Sequence, residues 1–217
     1  MRQGIAGMVA AAAALTAACG SGGLATETPA QIYEAAASAT AKVSGYEAAG
    51  EVAVAGSKVT FDFKVHGRDF AGSFALDGST IQVLAVEGTF YIDAPEAALA
   101  TDFGISNVEA ELLADRWVEV PSSESADFTD LTSVTDIAAQ LAHHGSLTAG
   151  GTATIDGQRV VLVHDGGDSV LAVATSGPAY PVRITATGSS AGHADFSSWN
   201  GIAAVTAPPS PIILPGS

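Results

Sequence analysis

Apolar residues recur along this chain with two different periods, and the periods separate helices from strands. A helix is predicted from Pro29 to about Lys42. Thr28 followed by Pro29 is typical of a helix start, because threonine caps free N–H groups and proline fits the first turn. The apolar positions that fall near one stripe of this helix are Ile32, Tyr33, Ala36, Ala39 and Val43.

Most of the remaining apolar residues alternate with polar ones, which predicts strands with one buried face. The alternation is strictest between residues 58 and 65, and Asp77-Gly78 and Asp156-Gly157 are typical hairpin turns. The predicted strands are 46–54, 58–65, 69–77, 80–86, 89–92, 116–120, 147–156, 158–164, 169–175, 180–187 and 193–196. Short helices are predicted at 95–102, 106–114 and 132–141.

Two runs of short strands that flank helices favour the α+β class. We predict one large, curved antiparallel sheet with helices on its concave face, built from a single domain over residues 29–207. A sheet of about ten strands curls, so its concave face must be filled. Four prolines after Ala207 predict that residues 208–217 form a tail that frays.

The start of the chain has the pattern of a bacterial lipoprotein signal. A short, alanine-rich apolar run ends at Ala18, and Cys19, the single cysteine in the sequence, follows it before a Gly/Ser-rich stretch. The run is too short to span a membrane, which takes about 20 apolar residues. We predict a signal peptide at 1–18, lipidation of Cys19 and a flexible tether at 19–28. The alternatives are an ordinary secretory signal cleaved near Ala18 and an alanine-rich cytosolic tail.

Composition narrows the function further. The formal net charge is −15, and the few basic residues form no stripe, which excludes nucleic acid as a partner. Broad electrostatic binding to anionic headgroups is disfavoured as well, so attachment to the plasma membrane must come from acyl chains on Cys19. The predicted location is the extracytoplasmic side of the cell membrane, with the protein as a monomer.

Several motifs resemble one group of known proteins. In chain order they are the stretches 90–92, 116–120, 150–158, 176–184 with Tyr-Pro-x-Arg-Ile, 195–200 with Phe-Ser-x-Trp-Asn, and 205–209. In this order, after the lipid-attachment pattern, they resemble actinobacterial lipoproteins of the LppX/LprG type and, more distantly, the LolA/LolB carriers. The resemblance implies a half-open β-barrel closed by helices. It also implies a lipid or glycolipid ligand held by its acyl chains, and an envelope transporter as a candidate partner.

The residues themselves point to an apolar cavity. The predicted helices are rich in alanine, whose short side chain fills little of a concave face. Apolar residues of compatible parity are candidate cavity-lining positions: Phe61, Phe63, Phe70, Phe74, Val83 and Val182. The alternative is a filled core, in which case the chain is a structural or interaction lipoprotein of the envelope.

No constellation of residues predicts an enzyme, a metal site or a cofactor. The adjacent His143 and His144 have no further spaced ligands and are interpreted as a solvated helix end. His193, Asp195 and Ser197 have the residue types of a catalytic triad. However, alternate residues of one strand lie about 7 Å apart, too far for the required hydrogen bonds. Trp117 and Trp199 are interpreted as packing residues, with a ligand entrance as the alternative role.

Overall fold

The computed structural model describes residues 23–54, 56–101, 103–121, 145–166, 168–188 and 191–214, together with Ile137 and Leu141. Cys19, the leader, and His143 and His144 therefore lie outside the described residues. The same holds for the predicted helix at 132–141 except for Ile137 and Leu141, which are helical and buried.

A short helical segment precedes the sheet, and two more helices interrupt it. They are α1 (Pro29–Thr40), α2 (Glu96–Thr101) and α3 (Asn107–Leu113), with a 3₁₀ turn at Leu24–Thr26 before α1. The predicted start of α1 is confirmed. Thr28 and Gln31 form a reciprocal cap, in which each side chain accepts a hydrogen bond from the other residue's backbone N–H.

Twelve strands in the described part of the chain form one sheet. They are β1 (Gly45–Val54), β2 (Ser57–His66), β3 (Asp69–Leu76), β4 (Ser79–Val86), β5 (Thr89–Asp93), β6 (Val118–Glu119), β7 (Leu147–Ile155), β8 (Gln158–Asp165), β9 (Ser169–Ala174), β10 (Pro181–Ala186), β11 (Gly192–Ser197) and β12 (Ile212–Ile213). Their order is β12-β6-β5-β4-β3-β2-β1-β11-β10-β9-β8-β7. The central strand β1 therefore joins the two halves of the chain, and the predicted large antiparallel sheet is confirmed.

The hairpin turns follow the sequence signals. Asp77 and Gly78 have φ values of 49° and 87°, and Asp156 and Gly157 have values of 47° and 81°. Two consecutive residues with positive φ connect antiparallel strands with the twist that a sheet requires. These tight turns fix the register of β3 with β4 and of β7 with β8.

The helices lie on one face of the sheet, which we call the inner face. Helix α1 packs against β7 and β8, and α2 packs against β4 and α3. Ile32 of α1, Leu99 of α2 and Ala110 of α3 share one buried apolar cluster with strand residues such as Phe63. The main core of the protein therefore lies between the helices and the inner face.

Two predictions about the ends of the chain need correction. Leu24–Thr26 forms a 3₁₀ turn and Leu24 packs against the core, so residues 24–28 are not a free tether. The tail does not fray from Ala207 either. Ile212 and Ile213 pair in parallel with β6, and Ile212 N–H donates to the Trp117 carbonyl at 2.8 Å. Prolines beside this strand are compatible with pairing because they lie at the edge of a sheet.

Candidate functional site

Five of the six predicted cavity-lining residues come together on the inner face. Phe63, Phe70 and Val83 are buried in the core cluster, and Phe61 and Phe74 pack against it half-buried. The strand register explains this grouping. Phe61 pairs with Phe74 across β2 and β3, and Gly72 stands between Phe63 and Val83 in the next row. Period-two alternation within correctly paired strands places all five on one side.

The phenylalanine rings form a connected ladder. The ring centroids of Phe61 and Phe63 are 5.8 Å apart in a stacked arrangement, and those of Phe63 and Phe70 are 5.6 Å apart edge to face. Phe90 of β5 continues the ladder, with its centroid 6.2 Å from that of Phe70. Sequence reasoning missed Phe90 as a lining residue, although it shares its strand parity with Ile92 of the core.

Glycines on the inner face make room for this ladder. A Cβ atom added to Gly72 would lie 2.6 Å from Cδ1 of Phe63 and would also collide with the Asp62 carbonyl oxygen. A Cβ atom at Gly50 would collide with the carbonyl oxygen of His193 on the neighbouring strand. Glycine inside a strand commonly marks a bend or a close approach of another backbone. The two glycines therefore allow both the ring contact and the close strand approach.

Val182 does not belong to this group, and its predicted placement is wrong. It packs in a separate buried cluster with Val160, Ala172 and Ala174 on the opposite face of the sheet. The register of β10 against β9 shifts between Pro181 and Arg183, so two residues of β10 oppose one of β9. A bulge of this kind moves a side chain to the other face, which strict alternation does not anticipate.

Burial on the inner face changes along the strands. At one end, Val65 and Phe70 are paired and fully buried. At the other end the paired Phe61 and Phe74 are half-buried, although Ile81 beside Phe74 is buried, and Val54, the last residue of β1, is 52% exposed. We call this second region the open end. Its inner-face residues are Val52, Val54, Val59, Phe61, Phe74 and Leu76.

The helices over the inner face present small side chains at their most buried positions. Ala36 of α1, Ala98 of α2 and Ala110 of α3 have no exposed surface. Because alanine reaches only a short distance from the helix, contacts made through it leave the longer strand side chains to fill the space.

The Tyr-Pro-x-Arg-Ile and Phe-Ser-x-Trp-Asn motifs contact each other. The rings of Tyr180 and Trp199 stack with centroids 4.6 Å apart, and Trp199 also contacts Tyr46 and Phe196. Asn200 donates to the Tyr180 hydroxyl at 3.1 Å and accepts from the Ser44 backbone N–H at 2.8 Å. Trp199 therefore has the packing role that the sequence favoured, and it joins the start of β1 to the last third of the chain.

An ion pair completes the link between the motifs. Both guanidinium nitrogens Nε and Nη2 of Arg183 bind the Asp195 carboxylate, with Nη2 at 2.8 Å from Oδ2. The hydrogen bond to Asp195 raises the pKa of Arg183. Asp156 adds a longer contact to the same guanidinium at 3.7 Å. The pair joins adjacent strands β10 and β11 on the face opposite the core.

The triad-like residues do not form a catalytic unit. His193 Nε2 lies 3.6 Å from Asp195 Oδ2, but that carboxylate is already bound by Arg183. The Ser197 hydroxyl lies 3.5 Å from the Glu47 carboxylate. A nucleophilic serine needs a base within hydrogen-bond reach, and the histidine that would serve belongs to a different contact here.

One titratable group is buried near the start of α1. The Tyr33 hydroxyl donates to Asp165 Oδ2 at 3.2 Å, and the other oxygen of Asp165 accepts from the Gly145 backbone N–H at 2.5 Å. Burial, together with the neighbouring Asp165 carboxylate, raises the pKa of Tyr33 from 10.0 to about 12. Tyr33 therefore stays neutral at physiological pH and ties α1 to the end of β8.

Two kinds of feature are absent from the described residues: groups that could bind a metal ion and helices that could cross a membrane. Within those ranges, no three His, Cys, Asp or Glu side chains are grouped so that they could bind a metal ion. None of the helices in the same ranges is both long enough and apolar enough to cross a bilayer.

No family model matches the sequence, and no curated protein matches it. Among solved structures, the Mycobacterium tuberculosis lipoprotein LppX is similar with a TM-score of 0.53 and 17% identity, over 81% of this chain and 97% of LppX. LprF from Mycobacterium bovis is similar with a TM-score of 0.56 and 15% identity, over 84% of this chain and 98% of LprF. At such identities the likeness concerns the fold. This chain has the fold of the mycobacterial lipoproteins LppX and LprF, matched over nearly the whole length of both.

Proposed function

We propose that this chain is a lipid-anchored envelope protein that binds the acyl chains of a lipid or glycolipid against the inner face of its sheet. The observation that carries the proposal is the phenylalanine ladder, buried at one end, half-buried at the other and part of one apolar cluster with residues of the helices. Apolar sites with few polar groups suit acyl chains, because such chains gain free energy simply by leaving water.

The fold and the sequence resemblance support the same class of ligand. LppX is itself a lipoprotein, and the resemblance to LppX/LprG-type proteins implies acyl-chain binding without covalent chemistry. Phe61, Phe63, Phe70, Phe74 and Val83 are the proposed lining residues. Val182 is not among them, since it belongs to the other face.

The binding proposal is tested on the protein expressed with Cys19→Ala, so that any lipid found is a ligand rather than an anchor. Mass spectrometry of the organic extract is expected to show lipid in stoichiometric amount, and the delipidated protein is expected to take up a fluorescent phospholipid. Phe74→Asp should reduce this uptake, whereas Ile213→Asp, a matched control on the 65% exposed Ile213, should not. Repeated absence of both bound lipid and uptake would refute the proposal.

The anchor is a separate proposal with a separate test. Lipidation of Cys19 would hold the protein at the outer surface of the plasma membrane, because two or more acyl chains make attachment stable. Cys19→Ala should move the protein from the membrane fraction to the soluble fraction. Full retention of this variant in membranes would contradict lipidation.

A second candidate function is an interaction surface for an envelope partner such as a transporter. Val108 and Leu112 lie one helical turn apart on α3 and are 71% and 64% exposed. Crosslinking in membranes through a photoreactive residue at position 112, compared with one at exposed Glu111, tests it. Equal crosslinking at both positions would contradict a specific surface.

A further inference from the structure

The open end of the inner face lies where four turns meet. The β1–β2 and β3–β4 turns follow directly from Val54 and Leu76. Ala186, the last residue of β10, pairs with Gly192 of β11, and Gly192 pairs with Val52. Thr187 N–H donates to the Asp168 carbonyl at 2.8 Å, which joins the β10–β11 turn to the β8–β9 turn.

The folded chain begins at this same end. Tyr33, in the second turn of α1, is hydrogen-bonded to Asp165, the last residue of β8 before the β8–β9 turn. The other end of α1 leads through four residues to Gly45, which pairs with His66 at the far end of β2. Helix α1 therefore runs from the open end to the closed end, with its N-terminus at the open end.

The length of chain before the fold limits where an anchor can lie. Leu24 already packs against the core, so only four residues lie between it and Cys19, which makes five Cα–Cα steps. A fully extended chain of this length spans about 17 Å, whereas a ten-residue strand such as β1 spans about 33 Å. An anchor at Cys19 can therefore reach the bilayer easily from the open end of the sheet and hardly at all from the closed end.

The surface of the open end is mixed in character. The described turn residues Gly56, Ser57, Gly78 and Ser79 carry no charge, whereas Asp77 and Asp168 are exposed acids. The nearby Lys58 is paired with Glu51, and this hydrogen bond lowers the pKa of Glu51. A surface cavity of about 210 Å³ also lies at this end, lined by Val52 and Ser57 and, from the opposite face, by Glu51 and Lys58.

We propose that the open end faces the bilayer that holds the anchor, and that acyl chains pass directly between this bilayer and the inner face through it. This inference rests on the proposed function, since it assigns that function an orientation and an entry route. Val54 lies at the contact, and the closed end, with Arg68 in the β2–β3 turn, points away from the membrane.

The orientation is tested with the acylated protein in phosphatidylcholine vesicles. Cys19 is blocked by its lipid, so Val54→Cys or Arg68→Cys supplies the only free thiol for an environment-sensitive fluorophore. The vesicles also contain a spin-labelled lipid, which quenches a fluorophore that enters the bilayer interface. Interfacial groups lie roughly 5–10 Å deep, so we expect about a twofold loss of fluorescence at position 54. The label at position 68 should lose none. Equal quenching at both positions, or stronger quenching at 68, would overturn the orientation.

The entry route is tested by the rate at which fluorescent lipid moves from vesicles to the same acylated protein. Val54→Asp places a charge at the open end and should slow transfer, while the matched Ile213→Asp should not. Equal rates for the two variants would overturn the route. Mass spectrometry of bound lipid distinguishes a failure of the proposed lipid binding from a failure of the proposed orientation. Protein that carries no lipid contradicts the proposed function, whereas lipid-loaded protein without quenching at position 54 contradicts the orientation alone.

Discussion

The two ends of the inner face are built from the same residue types on the same strands, yet they differ in burial. At the closed end Phe70 has no exposed surface, and at the open end Phe74, four residues along the same strand, is half-buried. Because both residues lie on the same face of the same strand, strand periodicity alone does not set the difference. A single apolar face can therefore supply stability at one end and leave apolar surface for a ligand at the other.

The sharpest test of this comparison is truncation at the closed end. Phe70→Ala removes a buried ring that contacts Phe63 and Phe90, so it should lower the free energy of unfolding by about 3–5 kcal/mol. Urea unfolding followed by circular dichroism measures this loss. A cost no greater than that of Phe74→Ala would erase the distinction between the two ends.

The matching truncation at the open end should separate stability from binding. Phe74→Ala should cost only about 1–2 kcal/mol, because the ring is half-buried and its loss leaves no closed cavity. The same variant should take up less fluorescent lipid, since part of the proposed apolar surface is gone. Unchanged uptake in a folded Phe74→Ala protein would remove this residue from the proposed site.

Breaking the ion pair on the opposite face gives a control for both ends. Arg183→Ala removes the bidentate contact to Asp195, and we expect a loss of about 1 kcal/mol, since both side chains are about one-third exposed. Lipid uptake should not change, because the pair lies behind the sheet. Arg183→Lys keeps the charge but loses the bidentate geometry, so its free energy of unfolding should lie between those of the wild type and Arg183→Ala.

The smallest effect is expected at the tyrosine that fixes the start of α1. Tyr33→Phe should cost about 1 kcal/mol or less near neutral pH, since Asp165 keeps its bond from Gly145 N–H. The pKa of Tyr33 is raised from 10.0 to about 12, so the folded state keeps a proton that the unfolded chain loses. The free energy of unfolding should therefore fall as pH rises from 10 to 12. Unfolding curves for Tyr33→Phe should show a shallower fall, and an identical slope would contradict this assignment.

Local signals in the sequence predict most of the fold. Alternation predicts the strands, Asp-Gly pairs predict hairpins, and Thr28 with Pro29 predicts the start of α1, because each depends on residues close together in the chain. The placement of Val182 depends instead on a bulge in the pairing of β10 with β9. The two-residue strand β12 depends on a partner nearly a hundred residues away. Neither feature leaves a local pattern.

The candidate site is predictable only in part for the same reason. Strand parity places Phe61, Phe63, Phe70 and Phe74 on one face, and the register confirms it. All four side chains lie on the same face, so alternation cannot distinguish the buried positions from the half-buried ones. That distinction depends on tertiary packing, which the alternation within a strand does not record.

The short C-terminal strand has a consequence for the behaviour of the protein in solution. By pairing with β6, Ile212 and Ile213 cover backbone groups that would otherwise form the border of the remaining eleven strands. Uncovered sheet borders recruit strands from other molecules and seed aggregates. Two residues paired at this border therefore limit self-association, and replacing both with proline should make the protein less soluble under conditions in which it stays folded.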